Sequence, residues 1–238
     1  MNAGRSRATA WPDATTEDML GSVGASPRFS DRVTAGIELA RLLGHHAGRS
    51  DLLVLGLPRG GVPVAAEVAR ALGAPLDVFM VRKIGLPGRV ELAVGALASG
   101  GVRVLNDRVI KAAEIGPEEL ELLAARAGEI LAERERRYRG SRPGPAVAGR
   151  TVVLVDDGLA TGATMRAAIA ALRELGAGRV IAAVPVAPSE TCERLAGLVD
   201  EMVVVHTPEP FIAVGAWYAD FSATSDDEVE RLLAPGPD

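Results

Sequence analysis

Cys192 is the only cysteine in 238 residues, which excludes a disulfide framework and a thiolate metal cluster and is compatible with a reducing cytoplasm, the expected location. Histidine is almost as scarce. His45, His46 and His206 have no zinc-ligand spacing, and the adjacent pair would face different directions on a helix. No apolar run approaches the roughly 18 residues of a membrane span, so no membrane contact is expected. Residues 1–26 lack the apolar centre of a secretory signal and read as a mobile leader, whose acids Asp13, Glu17 and Asp18 count against a mitochondrial transit signal. The chain also lacks a basic excess: its net charge of -5 argues against a general nucleic-acid binder. Neither a Walker lysine motif nor a Gly-x-Gly-x-x-Gly fingerprint occurs, which disfavours the two commonest nucleotide-binding loops.

What is present is the balance of a soluble globular domain, 48% hydrophobic and 24% charged, assigned here to residues 27–238. Apolar runs at 52–57, 76–81, 152–155, 179–186 and 201–205 read as buried strands, and helical periodicity fills 29–47, 63–72, 117–139, 165–175, 189–198 and 225–233. Ser30 is the expected N-cap of the first helix, with Val33, Ile37, Ala40 and Leu43 on its buried face. Repeated strand and helix alternation predicts an α/β fold with a doubly wound, mainly parallel sheet. Segments 91–99 and 102–105 flank Gly100-Gly101, a hairpin signal, and 141–145 reads as an inserted loop. The basic end of the helix over 117–139 (Arg134, Arg136, Arg137, Arg139) is interleaved with glutamates and reads as a solvated face, Glu133-Arg137 and Glu135-Arg139 being favourable i,i+4 pairs.

The chemistry concentrates in residues 152–164. Four apolar residues lead into Asp156 and Asp157, which a parallel strand would place at its carboxyl end, where open α/β sheets bind ligands. Ala160, Thr161, Gly162, Ala163 and Thr164 follow, small or hydroxylated residues that let backbone N–H groups at a helix start approach an anion. Carboxylates beside a phosphate repel it unless they meet hydroxyls or a cation, so the expected ligand carries a phosphate, vicinal hydroxyls and Mg²⁺. The plainer alternative is a buried strand and a helix capped by Thr161 or Thr164. Arg59 with Gly60 and Gly61 forms a second anion-binding loop ahead of a helix. Arg82 and Lys83 end the expected second strand, and Gly85, Pro87 and Gly88 after them suggest a mobile loop able to close over a reacting centre. Lys83 is one of only two lysines among 26 basic residues.

At 152–164 the sequence resembles the type I phosphoribosyltransferases, whose signature is four hydrophobics, two acidics and a small Thr-Gly-x-Thr loop. The resemblance implies that Ala160 to Thr164 hold the 5-phosphate of phosphoribosyl pyrophosphate (PRPP) and that Asp156 and Asp157 contact its ribose hydroxyls, with Mg²⁺ held mainly through ligand and water. It implies that Arg59, Gly60 and Gly61 hold the pyrophosphate in a loop with a non-proline cis peptide at Pro58-Arg59 or Arg59-Gly60. Arg82-Lys83 is similar to the start of the catalytic flexible loop of adenine phosphoribosyltransferases, which makes Lys83, Arg82, Asp157 and Glu91 the catalytic candidates. Residues 207–222 look like the hood of hypoxanthine-guanine phosphoribosyltransferases, with Phe211, Trp217 and Asp220 as base-binding candidates. One residue more separates Gly215 from Asp220 than in that pattern, and its lysine has no equivalent. Core packing or a dimer contact accounts for these aromatics almost as well. The implied activity is transfer of the phosphoribosyl group to a nitrogen acceptor, first of all a nucleobase as in purine salvage. A non-catalytic sensor of PRPP or a nucleotide is the competing class. Family members are commonly dimers or tetramers, and a homodimer is an open expectation.

Overall fold

The computed structural model describes residues 29–86 and 89–234, and the 1–26 leader lies outside them. In chain order come α1 (Arg32–Leu42), β1 (Leu52–Gly56), α2 (Gly61–Leu72), β2 (Leu76–Val78), β3 (Val81–Leu86), β4 (Arg89–Ala98) and β5 (Arg103–Leu105). They are followed by α3 (Asp107–Ala112), α4 (Pro117–Arg139), β6 (Thr151–Val155), α5 (Ala163–Glu174), β7 (Arg179–Val186), α6 (Ser189–Ala196), β8 (Glu201–His206) and α7 (Asp226–Leu233). Five strands form a parallel sheet in the order β2-β1-β6-β7-β8, and β3-β4-β5 form a separate antiparallel sheet. The alternation of β6 supplies both cores. Val153 and Val155 pack with Leu39, Val64 and Val68 of α1 and α2, while Val152 and Leu154 pack with Met165, Ala168 and Leu172 of α5. A third core lies between α4, α7 and the antiparallel sheet.

This topology fixes where a ligand can enter. β1 leads through α2 to β2 on one side, and β6 leads through α5 to β7 on the other. The helices after β1 and β6 therefore leave adjacent strand ends toward opposite faces, which puts the two loops at the switch point of the sheet.

Two expectations about elements are corrected. The apolar run 76–81 is not one strand: β2 stops at Val78, and the chain crosses to the second sheet at Phe79 and Met80. The backbone partners decide this, because the Met80 N–H donates to Ser99 Oγ at 2.9 Å and Met80 O accepts from the Ser99 N–H at 2.8 Å. Phe79 drops into the core under α5 while Val78 and Met80 enter the core under α4, so one apolar run serves two cores. In α1 the N-cap is Asp31, whose carboxylate accepts from the Thr34 N–H at 2.7 Å, and not Ser30. Ala40 and Leu43 are buried as expected, but Val33 and Ile37 are exposed, and Ala35, Gly36 and Leu39 are buried in their place. The close crossing of α2 selects that stripe, since a Cβ on Gly36 would lie 2.8 Å from Val64 O.

α4 spans the expected residues, but its basic end is not simply solvated. Arg139 is buried at 5% exposure, donating to Asp77 Oδ1 (2.9 Å), Glu135 Oε1 (3.0 Å) and the Val78 carbonyl. The Ser99 hydroxyl donates to the same Glu135 oxygen at 2.5 Å, so one network ties α4 to both sheets where the chain crosses between them. Arg137 reaches Asp226, Asp227 and Glu230 of α7 and leaves Glu133 aside. His45 and His46, expected to diverge, sit on a 3-10 turn after α1 and both meet Glu201, with ring centroids 4.1 Å apart. The two oxygens of one carboxylate draw the rings together.

Replacing Arg139 by Met is expected to leave Asp77 and Glu135 without their cation, at a cost of about 3 kcal/mol and a fall in Tm of roughly 10 °C. Differential scanning calorimetry checks this, and an unchanged Tm would show that the network is dispensable.

Candidate active site

Asp156 and Asp157 emerge at the carboxyl end of β6, beside the loop that leaves β1. That loop comes very close. A Cβ on Gly60 would stand 1.9 Å from Asp157 Oδ2, and one on Gly61 would stand 2.7 Å from Val155 O and 2.8 Å from Asp156 Cα. Only glycine fits at either position, which brings the N-terminus of α2 against the acidic pair. The peptide Pro58-Arg59 is cis, one of the two positions expected for it.

Each acid keeps one oxygen engaged and one open. Asp156 Oδ1 accepts the Asp157 N–H at 2.9 Å, and Asp157 Oδ2 accepts from Arg32 Nε at 2.8 Å. Asp156 Oδ2 and Asp157 Oδ1 have no hydrogen-bond donor among the described residues. Burial pushes the Asp156 carboxyl well above the usual carboxylate range, and the charge of Asp157 adds to that shift. Burial raises Asp157 as well, against the lowering effect of Arg32. Two carboxylates are thus held desolvated and side by side, with one guanidinium as their compensation.

Arg32 was not anticipated. It stacks on Phe221, its guanidinium carbon 4.0 Å from the ring centroid, and its Nη1 donates to Ser222 O at 2.7 Å. The Tyr218 hydroxyl, also unanticipated, donates to Asp157 O at 2.5 Å. One signal for Arg32 existed: a cation in the first turn of a helix opposes the helix dipole, and α1 has no acid in that turn. Such a placement calls for an anionic partner.

The expected phosphate loop forms the start of α5. Gly162 is its left-handed N-cap (φ 70°), and Thr161 Oγ1 accepts from the Ala163 N–H at 3.4 Å. The Ala160 carbonyl accepts from Thr191 Oγ1 at 2.9 Å, pinning the loop to α6. Ala160, Thr161, Ala163 and Thr164 are exposed, and the first-turn N–H groups of α5 have no preceding helical carbonyl to bond. The loop is open to an anion.

Arg82 and Lys83 lie inside β3, where Lys83 pairs with Ala96, and not at the end of a parallel strand. Strand alternation sends them to opposite faces. Lys83 lines a cavity of about 730 Å³ with Thr164, Arg166 and Arg108, whereas Arg82 is absent from that lining. Glu91 falls on β4, with its side chain outside what is described, as are Pro87 and Gly88 of the expected mobile loop. Arg59 is half exposed, 3.8 Å from Asp226 Oδ1. In the hood, Phe211 and Trp217 pack against the Phe29-Tyr218 cluster beyond the end of β8. Asp220 is exposed and accepts from the Ser222 N–H at 2.9 Å and from its hydroxyl at 2.5 Å, which hold its carboxyl below the usual range. The aromatics brought nearest the acidic pair are Tyr218 and Phe221.

Comparisons with known proteins agree with this geometry. Residues 28–212 match the model of the phosphoribosyl transferase domain. A Mycobacterium tuberculosis protein provisionally named a phosphoribosyl transferase is 47% identical over 205 residues, covering 86% of this chain and 46% of that protein. The chain therefore spans about half the length of the curated relatives it matches. A ribose-phosphate pyrophosphokinase of Methanopyrus kandleri is 30% identical over 65% of this chain and 36% of its own length. The crystal structure of TT1426 from Thermus thermophilus superposes with a TM-score of 0.76 at 48% identity, covering 87% of this chain and 97% of that one. With the matched region spanning both strand-end loops and the acidic pair, this chain belongs to the phosphoribosyl transferase domain family.

Proposed function

We propose that the chain transfers the 5-phosphoribosyl group of PRPP to a nitrogen acceptor, first of all a nucleobase, releasing pyrophosphate with Mg²⁺ as cofactor. The observation that carries this reading is the meeting of two anion-binding loops across a desolvated acidic pair, with Gly60 against Asp157. A sugar phosphate bearing pyrophosphate at one end and vicinal hydroxyls between fits that order of groups. The open phosphate loop (Ala160, Thr161, Gly162, Ala163, Thr164) takes the 5-phosphate. Asp156 Oδ2 and Asp157 Oδ1 accept from the ribose hydroxyls, and Gly60, Gly61 and Arg59 hold the pyrophosphate.

The donor set suits Mg²⁺, since two carboxylates with one open oxygen each carry more negative charge than Arg32 alone balances. Bound there through ligand and water, Mg²⁺ would neutralise the leaving pyrophosphate. The C1–O bond to pyrophosphate breaks with its electron pair leaving on oxygen, the acceptor nitrogen bonds C1, and the acceptor's proton passes to solvent or to the departing pyrophosphate. Positive charge would develop at C1 between these events, and carboxylates that hold the ribose hydroxyls would stabilise it. Lys83, on the cavity shared with Thr164, supplies a cation from the hairpin side. Phe211, Trp217 and Asp220 stay the acceptor candidates, joined by Tyr218 and Phe221.

The direct test incubates the protein with PRPP, Mg²⁺ and a panel of nucleobases and amines while pyrophosphate release is measured. Release with at least one acceptor is expected; PRPP binding without release for any acceptor would shift the reading to a sensor. Lys83→Ala should lower kcat by about 10²-fold, and Arg82→Ala by much less because β3 turns Arg82 to the other face. Equal losses in steady-state assays would contradict that assignment.

Asp156 carries a stability prediction whose sign follows from its raised pKa. The unfolded chain releases this proton at the ordinary value, the folded chain only at higher pH, so charging the pair removes stability as pH rises between the two. Asp156→Asn keeps the acceptor for the Asp157 N–H and removes that charge. At neutral pH its Tm should exceed the parent's by about 2–4 °C for each ~1 kcal/mol relieved, while turnover is lost. A lower Tm at neutral pH would count against the desolvated pair.

A further inference from the structure

At the opposite end of the parallel sheet, three side chains form a second polar cluster. Glu201 opens β8, so it lies at the amino end of the strands, away from the acidic pair at their carboxyl ends. Glu201 Oε1 lies 3.0 Å from His45 Nε2, and Oε2 lies 2.9 Å from His46 Nε2. His46 is buried at 4% exposure, and its partners are fixed by packing. His45 Nδ1 faces the Leu42 carbonyl at 3.1 Å.

The protons in this arrangement do not balance for a neutral His45 ring. A neutral imidazole has one N–H, yet both nitrogens of His45 face acceptors that have no proton to give, a carbonyl and a carboxylate. Donation of Nδ1–H to the Leu42 carbonyl leaves the Nε2 lone pair aimed at the carboxylate. That is how metal-binding histidines are oriented, their outer nitrogen tied to a backbone carbonyl.

We propose that His45, His46 and Glu201 bind a divalent transition-metal ion of the zinc type. One ligand atom from each side chain can be drawn within 4.8 Å of the other two. Two ligands at 2.0–2.1 Å on a tetrahedral ion stand about 3.3 Å apart; each ring nitrogen already stands 2.9 or 3.0 Å from its own Glu201 oxygen, and binding one ion draws the two rings onto a shared oxygen within the 4.8 Å span of the cluster. Two imidazoles with one carboxylate suit Zn²⁺ or Co²⁺ and not Mg²⁺, whose preferred donors are all oxygen. The exposed side of His45 leaves room for water as the fourth ligand. Such an ion links the turn after α1 to the edge strand β8. α1 spans about 16 Å and carries Arg32 at its other end, so the ion braces the helix that holds Asp157.

The test titrates Zn²⁺, and separately Co²⁺ followed by visible absorption, into the metal-stripped full chain. One equivalent bound with a tetrahedral Co²⁺ spectrum is expected, together with a Tm raised by Zn²⁺ but not by Mg²⁺. His45→Ala, at an exposed position, and Glu201→Gln should each weaken Zn²⁺ binding by at least about tenfold. Asp157→Asn should retain it, which separates this site from the acidic pair. Absence of saturable binding, or binding undiminished in both His45→Ala and Glu201→Gln, would overturn the proposal. Neither result bears on whether PRPP is used.

Discussion

A methyl group at residue 60 would sit 1.9 Å from the Asp157 carboxylate, and the rest of the site depends on that lack of room. β1 and β6 are hydrogen-bonded neighbours whose helices depart to opposite sides, so their loops would diverge into solvent if nothing held them together. Two glycines let the start of α2 lie against Asp156 and Asp157. Backbone N–H groups and carboxylates then share one small volume, a combination that suits a ligand with anionic ends and a hydroxylated middle.

The arrangement is electrostatically costly, and the surrounding structure is organised to tolerate it. Arg32 reaches Asp157 from the first turn of α1, against the dipole of its own helix, and is steadied by the Phe221 ring and the Ser222 carbonyl. Tyr218 fixes the Asp157 backbone. The segment 218–222 thus touches the acidic pair from behind. At the other edge, the Arg139-Glu135-Ser99 network sets the point where the chain crosses to the antiparallel sheet, and so sets where Lys83 stands relative to α5.

The parallel sheet, α4, β7 and the strand-loop-helix at 152–164 were readable because each is written locally: an apolar run of strand length, a Pro at a helix start, a run of small residues after two acids. What was not readable depends on partners distant in sequence. The break after Val78 is decided by Ser99, twenty-one positions on from Val78, and the buried stripe of α1 by the backbone of α2 at Gly36. Arg32 and Asp157 lie 125 positions apart, and His46 and Glu201 155 positions apart. Only charge in an unfavourable place, as at Arg32, hints at such a partner. With aromatics scarce at 3%, the crowding of Phe211, Trp217, Tyr218 and Phe221 is legible in the sequence, but that the ring stacked on Arg32 is Phe221 depends on the fold.

The central claim is that the loops leaving β1 and β6 form a single site for PRPP. Isothermal titration of PRPP with Mg²⁺ into the parent chain and into Gly60→Ala tests it most directly, with circular dichroism to verify that the variant folds. The account predicts one saturable site in the parent and its loss, or weakening by at least about tenfold, in the folded variant, because the added methyl forces Asp157 and the loop apart. Equal affinity in both proteins would show that the two loops do not share the ligand.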